Sequence, residues 1–391
     1  MEWFALLIPI ITSIILLMLF RHKTVWWEFI VPFVVSLILI FTIKFGSEIS
    51  QVIDIEYWGG WVVKAEYYER WDEEVPCSHI KYRTETRYRT VYDSEGNSHQ
   101  ESYTVEVFDG YEHIYDVDEH SPYWQIIDSH QKDISIDKSQ FEALCNQFQN
   151  RKKIDMHRDY HSIDGDKFES VWGGQDERLE PVVTSHSYEN RVQNSNSVFN
   201  FREIKKEEKQ QYNLFEFPKI YDRYKCNSIF GDGGPTQAEA NKLLNMYNAK
   251  LGSIKEIRMM ILVFKNQPME AGFLQELYWK RGNKNEFIIT IGTNSNNEIQ
   301  WAYAFSWTKE ENLITEVQDL INLKQGKEID LVKIVDEMIP KIKSQFIRRQ
   351  FKEFKYINVD PPAWAMWVIF IVTIIVNGGL SAWIIKNEFE E

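Results

Sequence analysis

The chain has 391 residues, of which 44% are apolar and 15% aromatic, and its formal net charge is −14. That length suits two or three domains, and the apolar share is that of a folded chain, not a disordered one. The acidic balance argues against binding to nucleic acid. The three scattered cysteines, Cys77, Cys145 and Cys226, form no disulfide framework, although one bridge among them stays open.

The first elements in chain order are apolar. Trp3 to Phe20 carries no charge, Val25 to Ile43 carries only Glu28, and Ala363 to Ile385 again carries none. At about 1.5 Å per residue, roughly eighteen to twenty-three residues cross a hydrocarbon core of about 30 Å. The expectation is an integral membrane protein with three spans. Residues 1–46 form a transmembrane hairpin, and 359–391 form a third span and a short tail. Trp3, Trp26, Trp27, Trp364, Trp367 and Trp383 fall where interfacial aromatics belong. The start Met1-Glu2-Trp3 lacks the basic region of a cleaved signal peptide. The loop Arg21-His22-Lys23 argues for a cytoplasmic loop and C-terminus and an extracytoplasmic domain, because the first helices usually dominate orientation. Lys44 and the run Arg348, Arg349, Lys352 and Lys355 lie on the domain side; the run is expected to meet anionic headgroups or to snorkel.

Residues 47–150 read as a β-rich subdomain. Val52 to Tyr68, with Gly59-Gly60, supplies a strand or two. Ile80 to Tyr92 alternates Tyr and Thr with charged residues, and after the polar turn Asp93 to Ser98 the run Tyr103 to Phe108 returns, which predicts a long hairpin. Ser139 is expected to cap a helix to Asn150, with Glu142 three residues on. Residues 151–230 form an irregular connection, with extended stretches around Tyr188 to Val192 and Ser197 to Phe201. Gly231-Asp232-Gly233-Gly234-Pro235 breaks the chain and marks a domain boundary.

Residues 231–358 are the most legible. A helix capped by Thr236 carries Ala240, Leu243, Leu244, Tyr247 and Leu251 on one face. Ile257 to Phe264 is a central strand, and Pro268 opens a helix to Trp279. Phe287 to Gly292 and Ile299 to Trp307 are strands, Thr308 with Glu311 starts another helix, and a last amphipathic helix runs from Leu331 towards Phe351. The order α-β-α-β-β-α-α is that of an α/β sandwich.

This order, with Asp232 before the first helix, the Gly282-Asn283-Lys284-Asn285-Glu286 turn and the late helix with Pro340, resembles the TPM domain family. The resemblance covers about a third of the chain. It implies a domain outside the cytoplasm, anchored by an adjacent span, and a metal-dependent, phosphatase-like hydrolase as one alternative activity. Trp301, Phe305 and Trp307 stand where that family is usually Gly-rich, a departure that bears against an inherited ligand site. The whole chain also resembles a group of tailed-phage membrane proteins, through Glu56 to Gly60, Tyr188 to Val192 with Ser195 to Phe201, and Gln275 to Phe287. That implies a viral or prophage origin.

The expected class is thus an α+β membrane protein with a TPM-like α/β subdomain. Asp232, Asn283, Lys284, Asn285 and Glu286 are candidates for ligand or partner binding, because helix-to-strand connections of α/β sheets often bind ligands. Cys77, His79, His113 and His120 are candidates for a metal, since mixed Cys/His sets hold zinc. Asp116, Asp118 and Glu119 with His120 form an acidic run suited to a harder divalent ion. No catalytic motif and no cofactor motif beyond that divalent metal is present. The first expectation is a non-enzymatic binding protein acting on another membrane or envelope protein or on a second copy of itself. A hydrolase, with metal at Asp232 or the acidic run, and a structural subunit of a membrane complex are the alternatives.

Overall fold

The computed structural model describes residues 2–19, 26–92, 98–158, 163–192, 201–220 and 226–390. The loop Arg21 to Lys23, the turn 93–97 and residues 193–200 therefore lie outside the described residues. A short 3-10 helix, Glu2–Leu6, leads into α1 (Leu7–Leu19), and α2 (Trp27–Val52) follows. The chain then passes directly into β1 (Ile53–Tyr68), β2 (Trp71–Pro76), β3 (Ile80–Tyr92), β4 (Ser98–Tyr111) and β5 (Tyr115–His120). Next come β6 (Tyr123–Asp128), β7 (Asp133–Ile136), α3 (Lys138–Phe148), β8 (Lys152–Ile154), β9 (Lys167–Val171) and β10 (Pro181–Glu189). The C-terminal half holds α4 (Lys206–Gln211), β11 (Ile229–Gly231), α5 (Gln237–Lys255), β12 (Arg258–Lys265) and α6 (Glu270–Tyr278). It ends with β13 (Glu286–Thr293), β14 (Ile299–Ser306), α7 (Glu311–Asn322), α8 (Leu331–Gln345) and α9 (Ala363–Glu390). The class is mixed α+β.

Two compact units result: the described residues within 1–59, 183–220 and 226–390 form the first, and those within 60–182 the second. The division falls at 59/60 and 182/183, not at the expected 46, 150 and 230. The long strand β1 runs through both units, which no composition shift announces.

In the first unit a four-stranded sheet has the order β11-β12-β13-β14. β11 and β13 run parallel to β12, and β14 returns antiparallel to β13. One face of this sheet packs on α5, α7 and α8 through Leu244, Ile261, Ile289, Val317 and Met338. The other packs on α6 and the segment 212–217 through Leu262, Phe264, Ile288 and Trp279. Cover on both faces is why β12 reads as an unbroken apolar run. Gly231 (φ +93°) ends β11, and a Cβ there would sit 2.1 Å from the Val263 carbonyl oxygen. The Gly-rich stretch is therefore a turn within the sheet, not the expected boundary. Gly59 and Gly252 meet backbone to backbone: a Cβ on Gly252 would lie 2.3 Å from the Gly59 oxygen. Thr236 does not cap α5 with its side chain; its hydroxyl accepts from Leu331 N at 3.1 Å.

Two helices are long and apolar enough to cross a membrane, Trp27–Val52 and Ala363–Lys386; Trp3–Leu19 is shorter. All three pack together around Ala5, Ile40 and Ile369. Asn377 of α9 is fully buried and donates to Ser36 Oγ of α2 at 2.8 Å. The domain-facing ends are joined as well, since Gln51 donates to the Asp360 carbonyl at 3.2 Å.

The second unit is built on antiparallel strands in the order β7-β6-β1-β9-β8, with α3 laid over them. Val62, Ala65, Ile126, Phe141 and Leu144 form its core, and the Tyr67 ring stacks between Trp124 and Phe168. The cap of α3 is Asp137, not Ser139. Asp137 accepts from Gln140 N while Gln140 Oε1 accepts from Asp137 N, each at 2.9 Å, a reciprocal pair that Ser139 with Glu142 does not make. Glu66 is buried among Lys64 (2.5 Å), Lys167 (2.7 Å) and Gln125 (2.8 Å). From this body a two-stranded ribbon departs, first β2 with β5 and then β3 with β4.

Candidate functional site

The turn Asn283 to Glu286 is buried, and most of its side-chain polar groups face protein partners, although Asn285 Oδ1 has none. Glu286 Oε1 faces the Arg258 guanidinium at 3.7 Å, with both side chains almost wholly enclosed. Asn283 N donates to Glu286 Oε2 at 2.9 Å, and Asn285 Nδ2 donates to the Tyr57 carbonyl at 2.7 Å. Lys284 Nζ lies 3.5 Å from Glu56 and 4.2 Å above the Tyr188 ring. Burial raises the Glu286 and Glu56 carboxyls despite the cations beside them, and lowers the Lys284 ammonium. A cavity of about 550 Å³ lies beside this network, lined by Asp54, Tyr57, Trp279, Lys280 and Asn283 among others. Of the four turn residues, only Asn283 reaches it.

Asp232 is not part of this place. It follows β11, at the C-terminal end of the parallel strands, whereas the turn precedes β13 at their N-terminal end. Eight residues of strand separate those ends by about 25 Å. Asp232 Oδ2 is held by Lys265 at 2.6 Å, which lowers its carboxyl further below the carboxylate range with help from Gly234 N–H. Among the described residues it belongs to no group of three or more metal-type ligands. The candidate ligand-binding residues thus fall in two separate places.

The basic run also divides. Arg348 is nearly buried, pairs with Glu56 and Glu256, and lies 5.3 Å over the Trp58 ring, so it belongs to the internal network and is no headgroup ligand. Arg349 is half-buried, 3.9 Å from Glu311. Phe351 and Phe354 pack inward, which leaves Lys352 and Lys355 exposed.

Of the four expected metal ligands, the structure gathers three. Cys77, His79 and His113 meet with Asp116, and their four ligand atoms lie within 4.8 Å of one another. His120 is elsewhere: it stacks on Trp71 at 4.5 Å and pairs with Glu73 at 3.2 Å. Four residues of strand between positions 116 and 120 carry it about 13 Å away. The acidic run disperses too, since Glu119 pairs with Arg70 at 3.0 Å while Asp116 faces the histidines. Asp116 is the member of this cluster that the Cys/His reading did not include. The pattern contains its signal, because the pairing Pro76↔Tyr115 continues as Ile80↔Tyr111 and so sets 77–79 against 112–114.

Beyond this joint, β3 and β4 present two different faces. Tyr82, Thr84, Thr86, Tyr88 and Thr90 share one face with Phe108, Glu106, Thr104, Ser102 and Gln100. Tyr82 and Tyr88 are 56% and 68% exposed. On the other face Arg83, Arg87 and Arg89 pair with Glu85 and Glu101 over Val105 and Val107.

Comparison with family models, with curated proteins and with solved structures finds no match to this chain.

Proposed function

We propose that this chain is a membrane-anchored binding protein whose β3–β4 arm engages another membrane or envelope protein. In this reading α2 and α9 cross the bilayer, α1 crosses beside them as a third span, and the domain lies outside the cytoplasm. Length and apolarity of α2 and α9 support the anchoring. The buried Asn377–Ser36 bond supports packing within lipid, where polar side chains join helices.

The observation that carries the binding role is the bare Tyr/Thr face of the arm. A two-stranded ribbon on its own is marginally stable in water. Here the charged face keeps it soluble, while the opposite face holds tyrosines and hydroxyls ready. Tyrosine gives large contact area for little lost side-chain entropy, and Ser and Thr adapt their hydrogen bonds to the partner. Aromatic enrichment with few charges is also the composition of interface centres.

Site-specific photo-crosslinking in membranes tests this. A crosslinker at Tyr88 is expected to give a discrete adduct with a membrane or envelope protein, and one at Arg87, on the opposite face, is not. Absence of any adduct at position 88, or equal labelling from both faces, overturns the reading. An adduct of twice the chain's mass identifies the partner as a second copy.

A further inference from the structure

We infer that Cys77, His79, His113 and Asp116 form a tetrahedral site for one zinc-class divalent ion at the joint where the β2–β5 pair passes into the β3–β4 arm. The donors come from two chain segments, and the backbone already holds those segments together. Cys77 N donates to the Ile114 carbonyl at 3.3 Å, and Glu112 N donates to the His79 carbonyl at 3.0 Å. Around a zinc ion, neighbouring S, N and O ligand atoms stand about 3.3–3.6 Å apart. Cys77 Sγ is 3.8 Å from His79 Nδ1, and His79 Nδ1 is 3.1 Å from Asp116 Oδ1. His113 Nε2 closes on the same carboxylate oxygen.

The chemistry fits the ion. One thiolate and one carboxylate balance a charge of +2, and two neutral imidazoles complete four ligands. Such a set is too soft and too poor in oxygen for calcium or magnesium. Two of the ligands also receive backbone hydrogen bonds, the kind of support that fixes metal ligands. Asp116 Oδ2 accepts from Ser78 N at 3.0 Å, and His79 N donates to Cys77 Sγ at 3.4 Å. With every position filled by protein, the ion would clamp the joint and not activate water. The inference does not depend on a membrane, because every donor lies between residues 77 and 116.

Cobalt(II) titration of the purified full-length protein in detergent tests it, together with elemental analysis for zinc. The expected result is one ion per chain, with visible bands of tetrahedral cobalt and a near-ultraviolet thiolate-to-cobalt band. Cys77→Ser should abolish the thiolate band, and His79→Ala and Asp116→Asn should weaken binding at least 10-fold. His120→Ala should change nothing. His79 is mostly exposed, so its substitution leaves the fold in place. Failure of the wild-type protein to bind cobalt at one equivalent, or a thiolate band that persists in Cys77→Ser, overturns the site.

Discussion

Glu66 shows how burial and hydrogen bonding compete at one residue. Burial alone would raise its carboxyl, but hydrogen bonds from Lys167 and Lys64 outweigh it and hold the group at about 2, below its ordinary 4.5. A carboxylate depressed in the folded state stabilises it above its unfolded pKa, and that contribution is lost as pH falls towards the folded value. Thermal stability of the second unit should therefore drop between about pH 4.5 and 2. Glu66→Gln should flatten this drop and cost roughly 1–3 kcal/mol at neutral pH, because two half-buried amine partners lose their charged acceptor. A pH-dependent melting series checks both; an unchanged acid profile in Glu66→Gln refutes the assignment. Arg258 and Glu286 behave differently, since neither is solvated. Arg258→Met alone should destabilise by about 3–5 kcal/mol, and the double variant with Glu286→Leu should recover most of it, because an orphaned buried charge costs more than a missing pair. Denaturant titration of the three forms decides this. Gly252→Ala should cost about 3 kcal/mol or more in the same assay, since its new methyl group would meet the Gly59 backbone and not a movable side chain.

At the scale of elements, the arm should be separable from the rest. Among the described residues no core cluster includes this face, so replacing residues 86–104 by an Asn-Gly turn should leave the melting temperature nearly unchanged, while a crosslinker at Tyr82, which the shortened arm keeps, should lose its adduct. A large fall in melting temperature would show that the arm is part of the core. The strands and helices between Thr236 and Gln345 were legible in the sequence because their apolar positions repeat at clear intervals, as Leu313, Val317 and Ile321 do in α7. The hairpin was legible from its alternation. β11 was not: three residues carry no periodicity, and its place comes only from pairing with β12. The roles of the basic and acidic runs were also hidden. Charge in sequence does not tell a solvated Lys355 from an Arg348 folded over Trp58. The cluster at the joint was half legible, through its cysteine and histidines, while Asp116 needed the strand register.

For the whole molecule, α2 and α9 flank the domain in sequence, so if both cross a bilayer everything between them occupies one side. In the proposed orientation a cysteine at position 355 should react with a membrane-impermeant maleimide in intact cells, and one at position 23 only after lysis. The reverse pattern inverts the topology, and extraction of the unmodified chain by alkaline carbonate removes the membrane reading altogether.

The passage from α2 to β1 has neither loop nor glycine: Val52 ends the helix and Ile53 is already extended. A lipid-embedded helix meets a thinner bilayer by leaning over. With no hinge to absorb it, that lean would travel straight into the strand, and the bond from Gln51 to Asp360 would draw the start of the last helix along with it. If α2 and α9 cross a bilayer as proposed, its thickness would then be felt mechanically by the domain between them.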